Sequence, residues 1–458
     1  MPTSGGDQTR QTGERLTFNA EAPRLRDRLA WEPVETKNRW GNEAASLQIG
    51  QPWGERAYSH TLLAVSRYYS DFQKDDFVYT RLERPANGLR TFTAPFKHQN
   101  ELIEWRLDQR VDLAPNHPGL WTLGGTLHRY RVNYAETSAL RPEFGETRRS
   151  LRFDLFAQYD WTDASWTNMH LGLRTHYFSL GRYVRLSPRL KVRLFPSATV
   201  SLHAGYSRNH QFVHRLTLPS AGSADVWVTS NEANAPSRAN HFSGGVQFTP
   251  TSTTAFQADA YVKTYANVWQ HETETALRQT ETSILFDPWS TDHDAFARGL
   301  ELMHKQRWGP LHWTNSYTLS KVELQNDALN GGRRFPADWD RRHQFTTQVQ
   351  ATHDPWAGVL TWFYATGTPS PWALQLDTEP ERLDAYHRLD ASLRYQRALG
   401  GATLEATASI FNLYDRANPW YRDPVAVLTR NRPSKLSYRI VDVYDLGLQP
   451  SFNLTVRF

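Results

Sequence analysis

The 458-residue chain has no cysteine, only three methionines and no run of about eighteen apolar residues. Lack of cysteine excludes a disulfide framework, a thiolate metal site and a cysteine nucleophile. In so long a chain it also fits a protein exported to an oxidising compartment. Without a long apolar run, no transmembrane helix can form. The opening segment, MPTSGGDQTRQTGERLTFN, lacks the basic-then-apolar order of an export signal. Charge is close to balanced, with 52 basic residues against 47 acidic ones. The basic residues form no stripe interleaved with aromatics, so no nucleic-acid partner is expected.

What the chain does have is rings. Trp, Tyr and Phe number 17, 20 and 22, yet hydrophobic residues total only 39% and mean hydropathy is −0.65. Large aromatics on a polar average do not suit a conventional aliphatic core.

Stretch after stretch shows a two-residue period over about eight to twelve residues, closed by a turn or a polar loop. In SLRFDLFAQYDW, Leu151, Phe153, Leu155, Ala157 and Tyr159 oppose Arg152, Asp154, Gln158 and Asp160. In RLDASLRYQ, Leu389, Ala391, Leu393 and Tyr395 oppose Asp390, Ser392, Arg394 and Gln396. In PRLKVRLF, Leu190, Val192 and Leu194 alternate with Arg189, Lys191 and Arg193. No comparable stretch reads as an amphipathic helix.

The connections alternate as well. Short turns are expected at 162–166, 195–198, 249–253, 308–310, 353–358 and 398–402. Long polar loops are expected at 74–100, 136–147, 215–237, 267–294, 325–340, 367–384 and 417–438, with SLGRYVR (179–185) as one short exception. This is the layout of a meandering antiparallel sheet elaborated at one end. A soluble propeller or sandwich would bury the apolar faces in protein, whereas a transmembrane barrel would turn them to lipid and line a wet lumen with the charges. Arg174, Arg189, Lys191, Arg193, Arg394, Asp154 and Asp390 favour the lumen. Trp105, Tyr130, Tyr159, Trp161, Trp166, Tyr177, Tyr206, Trp313, Tyr317, Trp356 and Trp362 are expected as interfacial girdles. The expected fold is all-β, a transmembrane antiparallel up-and-down β-barrel of about 18 strands over residues 39–458. Residues 1–38 form a polar segment with a candidate first strand at 24–34.

Particular strings then resemble those of TonB-dependent outer-membrane receptors. SIFNLYDRANPWYRD (409–423) is similar to the Asn-Leu-aromatic-Asp segment that closes the family's second-to-last strand. NSYTLSKVE (315–323) and DWDRRHQFTTQVQ (338–350) resemble its Ser-Tyr-Thr-x-Ser strand and following Asp-x-x-His segment. HLGLRTHYF, LSPRLKVRL and LHAGYSRNHQ match its Gly-x-Arg, Ser-Pro-Arg and Gly-Tyr series in order, and YHRLDASLRY (386–395) completes the set. The resemblance covers 148–458 well and 39–147 more loosely. It implies a 22-stranded barrel in the bacterial outer membrane, plugged by an N-terminal domain that meets the inner-membrane TonB complex. No plug-like region is legible here, so coupling to TonB is expected only through a missing plug. By strand count there is also no room for the first strands of the 22, so the chain is expected to be the C-terminal majority of a receptor.

No catalytic or metal site assembles from the sequence, and no cofactor or enzymatic activity is expected. Asp292, His293 and Asp294 could meet a cation, and His210 and His214, four apart on a strand, could share a face. Solvated loops and rim histidines are the plainer readings. Ser207 and Ser320 have no hydrolase pattern around them. Binding is the better prospect: Trp227, Trp269, Trp339, Trp372 and Trp420 in the outer loops, with Arg333, Arg334 and Arg416 at loop bases, are the candidate ligand contacts. The arginines suit an anionic ligand such as a ferric siderophore. They suit lipopolysaccharide phosphates equally well, and ordinary salt bridges better. The expected function is uptake of a scarce ligand, whether siderophore, cobalamin, glycan or peptide. A passive porin-like channel and a soluble glycan-binding protein are the alternatives. The chain closes on SFNLTVRF, whose Phe452, Leu454, Val456 and Phe458 read as an outward stripe and a signal for the barrel-assembly machinery. The alternation extends back through Leu448, Leu446 and Tyr444.

Overall fold

The computed structural model describes residues 3–18, 29–82, 89–114, 119–137, 144–217, 225–271, 289–327, 330–369, 381–428 and 436–458. Its first half comprises β1 (Thr3–Phe18), β2 (Leu29–Trp53), β3 (Ala57–Leu82), β4 (Leu89–Leu113), β5 (Leu120–Thr137), β6 (Phe144–Ala164), β7 (Thr167–Phe178), β8 (Tyr183–Ser197), β9 (Val200–Gln211), β10 (Val213–Thr217), β11 (Asp225–Thr229) and β12 (Ser237–Thr251). The second half comprises β13 (Thr254–His271), β14 (Trp289–Trp308), β15 (Leu311–Gln325), β16 (Phe335–Pro336), β17 (His343–His353), β18 (Trp356–Ala365), β19 (Tyr386–Leu399), β20 (Ala402–Phe411), β21 (Pro419–Leu428), β22 (Leu436–Tyr444) and β23 (Gln449–Arg457). Among the described residues, the helical elements are the 3-10 turns at Leu180–Arg182 and Asn330–Gly332.

One sheet takes in 19 of these strands. Two-residue β16 merely bridges to β15. The others form an antiparallel meander in chain order, with β9 pairing β12, β15 pairing β17 and β20 pairing β23. The count agrees with the expected eighteen. β10–β11 and β21–β22 are separate hairpins within connections. Among the described residues, no pairing joins β1 to β23.

The alternation in the sequence sets the two faces. Leu151, Phe153 and Leu155 are 47%, 43% and 54% exposed, whereas Asp154 between them is fully buried. Leu63 and Val65, Leu171 and Leu173, and Leu300 and Leu302 continue the outward apolar belt, as the lipid face of a barrel requires. Trp53, Trp121, Trp166, Trp308 and Trp356 are exposed beside the short turns, where an aromatic girdle belongs. The turns after β6, β8, β12, β14, β17 and β19 fall where the sequence placed them, while those that follow β2 and β4 were not among the expected ones. Gly309 (φ +53°) and Gly400 (φ +61°) occupy a left-handed conformation that side chains oppose.

Several expectations are corrected. The polar opening segment is strand β1, paired with β2 from Thr3↔Ala44 to Phe18↔Leu29, so the sheet begins well before residue 39. Of the candidate strand at 24–34, Leu29 onward belongs to β2, while 24–28 lie outside the described residues. The loop at 74–100 is largely a continuation of β3 and β4, paired out to Leu82↔Leu89. Once a hairpin leaves the bilayer both its faces are wet, so it needs no apolar alternation to remain a strand. Tyr130 is not a girdle residue: it is buried inward against Phe178 and Phe212. The final strand begins at Gln449; Tyr444 belongs to β22, and Leu446 and Leu448 lie in the link between the two.

Candidate functional site

The elaborated end holds the functional candidates. On β4 the outward face carries Trp105 and Leu107, so His98, Asn100 and Glu104, of opposite parity, face the lumen. Between β9 and β12 the chain turns onto that inner wall, led by Phe212, which is buried on Phe178 at a 5.0 Å centroid distance. The β10–β11 hairpin that follows forms a strap. Asn100 clamps it: Trp227 N donates to Asn100 Oδ1 (2.7 Å), and Asn100 Nδ2 donates to the carbonyls of Trp227 (3.0 Å) and Asn133 (3.1 Å). At the opposite side His214 stacks on Trp269 of β13 at 4.5 Å, and Trp269 Nε1 donates to Ala235 O (3.1 Å). Tyr183 Oη donates to Asn231 O (2.8 Å) beside the 3-10 turn. Val226, Val228, Thr229 and Ser230 are buried as a result. Burial holds the His214 imidazole well below its ordinary range, at about 3.

The family-like strings anchor the rim. Asn412, fully buried at φ +53°, donates from Nδ2 to the carbonyls of Arg416 (2.9 Å) and Leu446 (3.2 Å), while its Oδ1 accepts from Arg416 N (3.2 Å). Asp415 accepts from Leu448 N (2.7 Å). Asn418 mimics a strand partner, accepting from His387 N (3.0 Å) and donating to His387 O (3.0 Å). In DWDRRH, buried Asp340 accepts from Val322 N (2.7 Å) and pairs with Arg382, tying two rim loops together.

The predicted ligand contacts divide accordingly. Trp227 belongs to the strap and Trp269, on β13, packs against it; Trp269 is 5% exposed, and Trp227 Nε1 is buried without a partner. Trp339 and Trp420 remain open at 54% and 56% exposure, Trp339 in the link before β17 and Trp420 at the start of β21. Trp372 lies outside the described residues. Arg334 lies 3.4 Å over the Phe296 ring, Arg333 Nε donates to Asn330 O (3.3 Å), and Arg416 Nη2 donates to Ala385 O (3.2 Å). The three arginines thus have structural work at loop bases. His210 and His214 do not share a face, because the chain bends at Phe212 between them. Buried His293 faces Asn326. Among the described residues no metal-ligating group of three converges. Sequence reasoning missed Asn100 and Asn418, since an asparagine on a strand carries no local mark of the distant backbone it will bind.

A lipid-facing apolar belt, a polar inner wall and one elaborated end define a β-barrel of the outer membrane. The family model described as TonB dependent receptor-like, beta-barrel matches residues 2–413, and the chain belongs to that family, whose place is the Gram-negative outer membrane. Among solved structures it is similar to the ferric yersiniabactin uptake receptor FyuA from Yersinia pestis (13% identity, TM-score 0.63, covering 100% of this chain and 68% of that one). The ferric enterobactin receptor PfeA from Pseudomonas aeruginosa gives 13% identity and TM-score 0.60, with 90% and 65% coverage. The outer membrane transporter YddB from Escherichia coli gives 12% identity and TM-score 0.60, with 99% and 66% coverage. The chain therefore spans about two thirds of the length of these structures. Comparison with curated proteins returns no match.

Proposed function

We propose that this barrel is the wall and rim of an uptake receptor for a ferric chelate. Ligand is captured among the exposed rim rings, Trp339 and Trp420, and passed along the polar inner wall. The observation that carries the reading is the one-ended elaboration of the sheet, with two loops tied together by Asp340 and Arg382 and a third turned inward as a strap. Ferric chelates are what two of the similar receptors are described as taking. Coupling to the TonB complex is assigned to a plug domain and to none of the strands described here, and contact with lipopolysaccharide and the assembly machinery to the outward face and SFNLTVRF.

The test is iron-limited growth and uptake of iron-loaded chelates by cells with and without the gene, complemented by W339A/W420A. Loss of uptake on deletion, and weaker uptake with the double variant, is expected. Uptake unchanged by deletion across a panel of chelates refutes the reading. Ion conductance of the refolded chain in planar bilayers, without chelate dependence, favours a passive channel instead.

A further inference from the structure

Toward the short-turn end from the strap, the inner wall of β6, β7 and β8 carries cross-strand polar pairs. Asp154 stands opposite His176, and Arg174 opposite Ser187. Asp154 is fully buried and both its oxygens are occupied: Arg152 donates through Nε (2.9 Å) and Nη2 (2.6 Å), His176 Nδ1 lies at 2.7 Å and Arg174 Nη1 at 3.5 Å. From His176 Nε2 the contacts run on to Ser187 Oγ (3.0 Å) and then to His210 Nδ1 (3.1 Å). Beside this line is a cavity of about 280 Å³, lined among others by Arg174, Arg189, Arg208, His176, Ser187 and His210.

Its lining carries four arginines and no carboxylate, with Asp160 held by the lining His170. Arg174 is braced over the Phe156 ring at 4.6 Å, and Arg208 Nε donates to Asn240 Oδ1 (2.9 Å). Among the described residues, neither Arg189 nor Arg208 has a carboxylate within ion-pair distance, and Arg189 has no hydrogen-bond partner. Arg185, Lys191 and Arg193 extend the same face of β8, again without a paired carboxylate among the described residues. Four arginines, counting Arg152, therefore line a cavity whose one adjoining buried carboxylate is already saturated. Planar guanidinium forks at a wet wall match the oxygens of phosphate or carboxylate.

The line Asp154, His176, Ser187 also has the carboxylate, imidazole, hydroxyl order of a hydrolase. Here Arg152 grips both oxygens of Asp154, and binding is the better account than turnover. The volume falls just below the roughly 300–1,000 Å³ of drug-sized ligand sites. It therefore takes one charged group rather than a whole chelate.

We infer that this cavity binds the oxyanion group, phosphate or carboxylate, of a solute in the lumen, as a station on the inner wall. The inference deepens the uptake reading and rests on it for where the solute comes from. The test is calorimetric titration of the refolded full chain in detergent, at low salt, with inorganic pyrophosphate and with tricarballylate; heat-modifiable gel migration checks folding. Binding of at least one probe is expected, and which one binds identifies the group. It should weaken at least tenfold in R174Q/R189Q and with added salt, and stay unchanged in Arg394→Gln on β19. Should the double variant fail to fold, R189Q alone, which removes no internal bond, should weaken binding severalfold. No binding by the unmodified chain, or equal binding by the folded variants, overturns the inference. Pocket binding without chelate import would refute the uptake reading alone, and import with variant-insensitive probe binding would refute the pocket alone.

Discussion

At the scale of single residues, asparagine does much of the long-range joining. Asn100 and Asn418 each present an amide that both donates to and accepts from a backbone unit of another segment, as a strand neighbour would. Removing such a side chain strands buried backbone groups, at about 1–3 kcal/mol for each group left unpaired. N100A should therefore loosen the strap while the barrel itself remains folded. Faster proteolysis between residues 213 and 229, with unchanged heat-modifiable migration, is the expected result. At Asn412 the left-handed backbone adds a second cost, about 1–2 kcal/mol for an ordinary side chain. N412A should consequently destabilise the 412–418 link more than N412G does, as measured by hydrogen exchange in that segment. The Asn-Leu-aromatic-Asp string was legible as a resemblance; its physical reason, a left-handed anchor with three amide bonds, needed the folded neighbours.

At the scale of elements, the β10–β11 strap is the part the sequence showed least. It was expected as a loop at 215–237, because five-residue strands between turn residues carry too little periodicity to declare themselves. Its seam against Trp269 makes it acid-sensitive. His214 is 3% exposed and its folded pKa lies near 3, below the ordinary value of about 6.5. A depressed histidine pKa means that the folded strap prefers the neutral ring. Its contribution is complete above pH 6.5 and falls as pH drops from 6.5 toward 3, by up to about 1.4 kcal/mol per unit. Protease opening of the strap should rise through that window, and H214F, which keeps the stack on Trp269 without a titrating group, should flatten the response. An opening rate equally pH-dependent in H214F would count against this role. By contrast, the spanning strands were legible from alternation alone, since lipid on one side and water on the other enforce a two-residue period. That period fades where β3 and β4 run beyond the bilayer, and there the sequence reading ended the strands too early.

At the scale of the whole molecule, the belt and the lumen wall should tolerate opposite substitutions. L155R places a cation on the lipid face of β6 and should cost about 2–4 kcal/mol if near the midplane, seen as a lower denaturant midpoint in vesicles. R394L on the inner wall should leave that midpoint nearly unchanged. Phe452, Leu454, Val456 and Phe458 are 71%, 59%, 46% and 102% exposed, so the terminal stripe is accessible to an assembly partner. Deleting Phe458 should slow insertion by the assembly machinery without altering the stability of barrel that has formed. Sequence by itself determined that the protein is a many-stranded meander, which face of its clearly alternating strands meets lipid, and where most of the tight turns fall. These follow from local periodicity and turn chemistry, which act between near neighbours. Only the tertiary structure decided that the opening polar segment pairs as β1, that Tyr130 points inward, that β10 and β11 lie against the lumen wall, and that arginines on neighbouring strands surround one cavity. Those outcomes depend on contacts between residues far apart in the chain, such as Asn100 and Trp227, which no local pattern encodes.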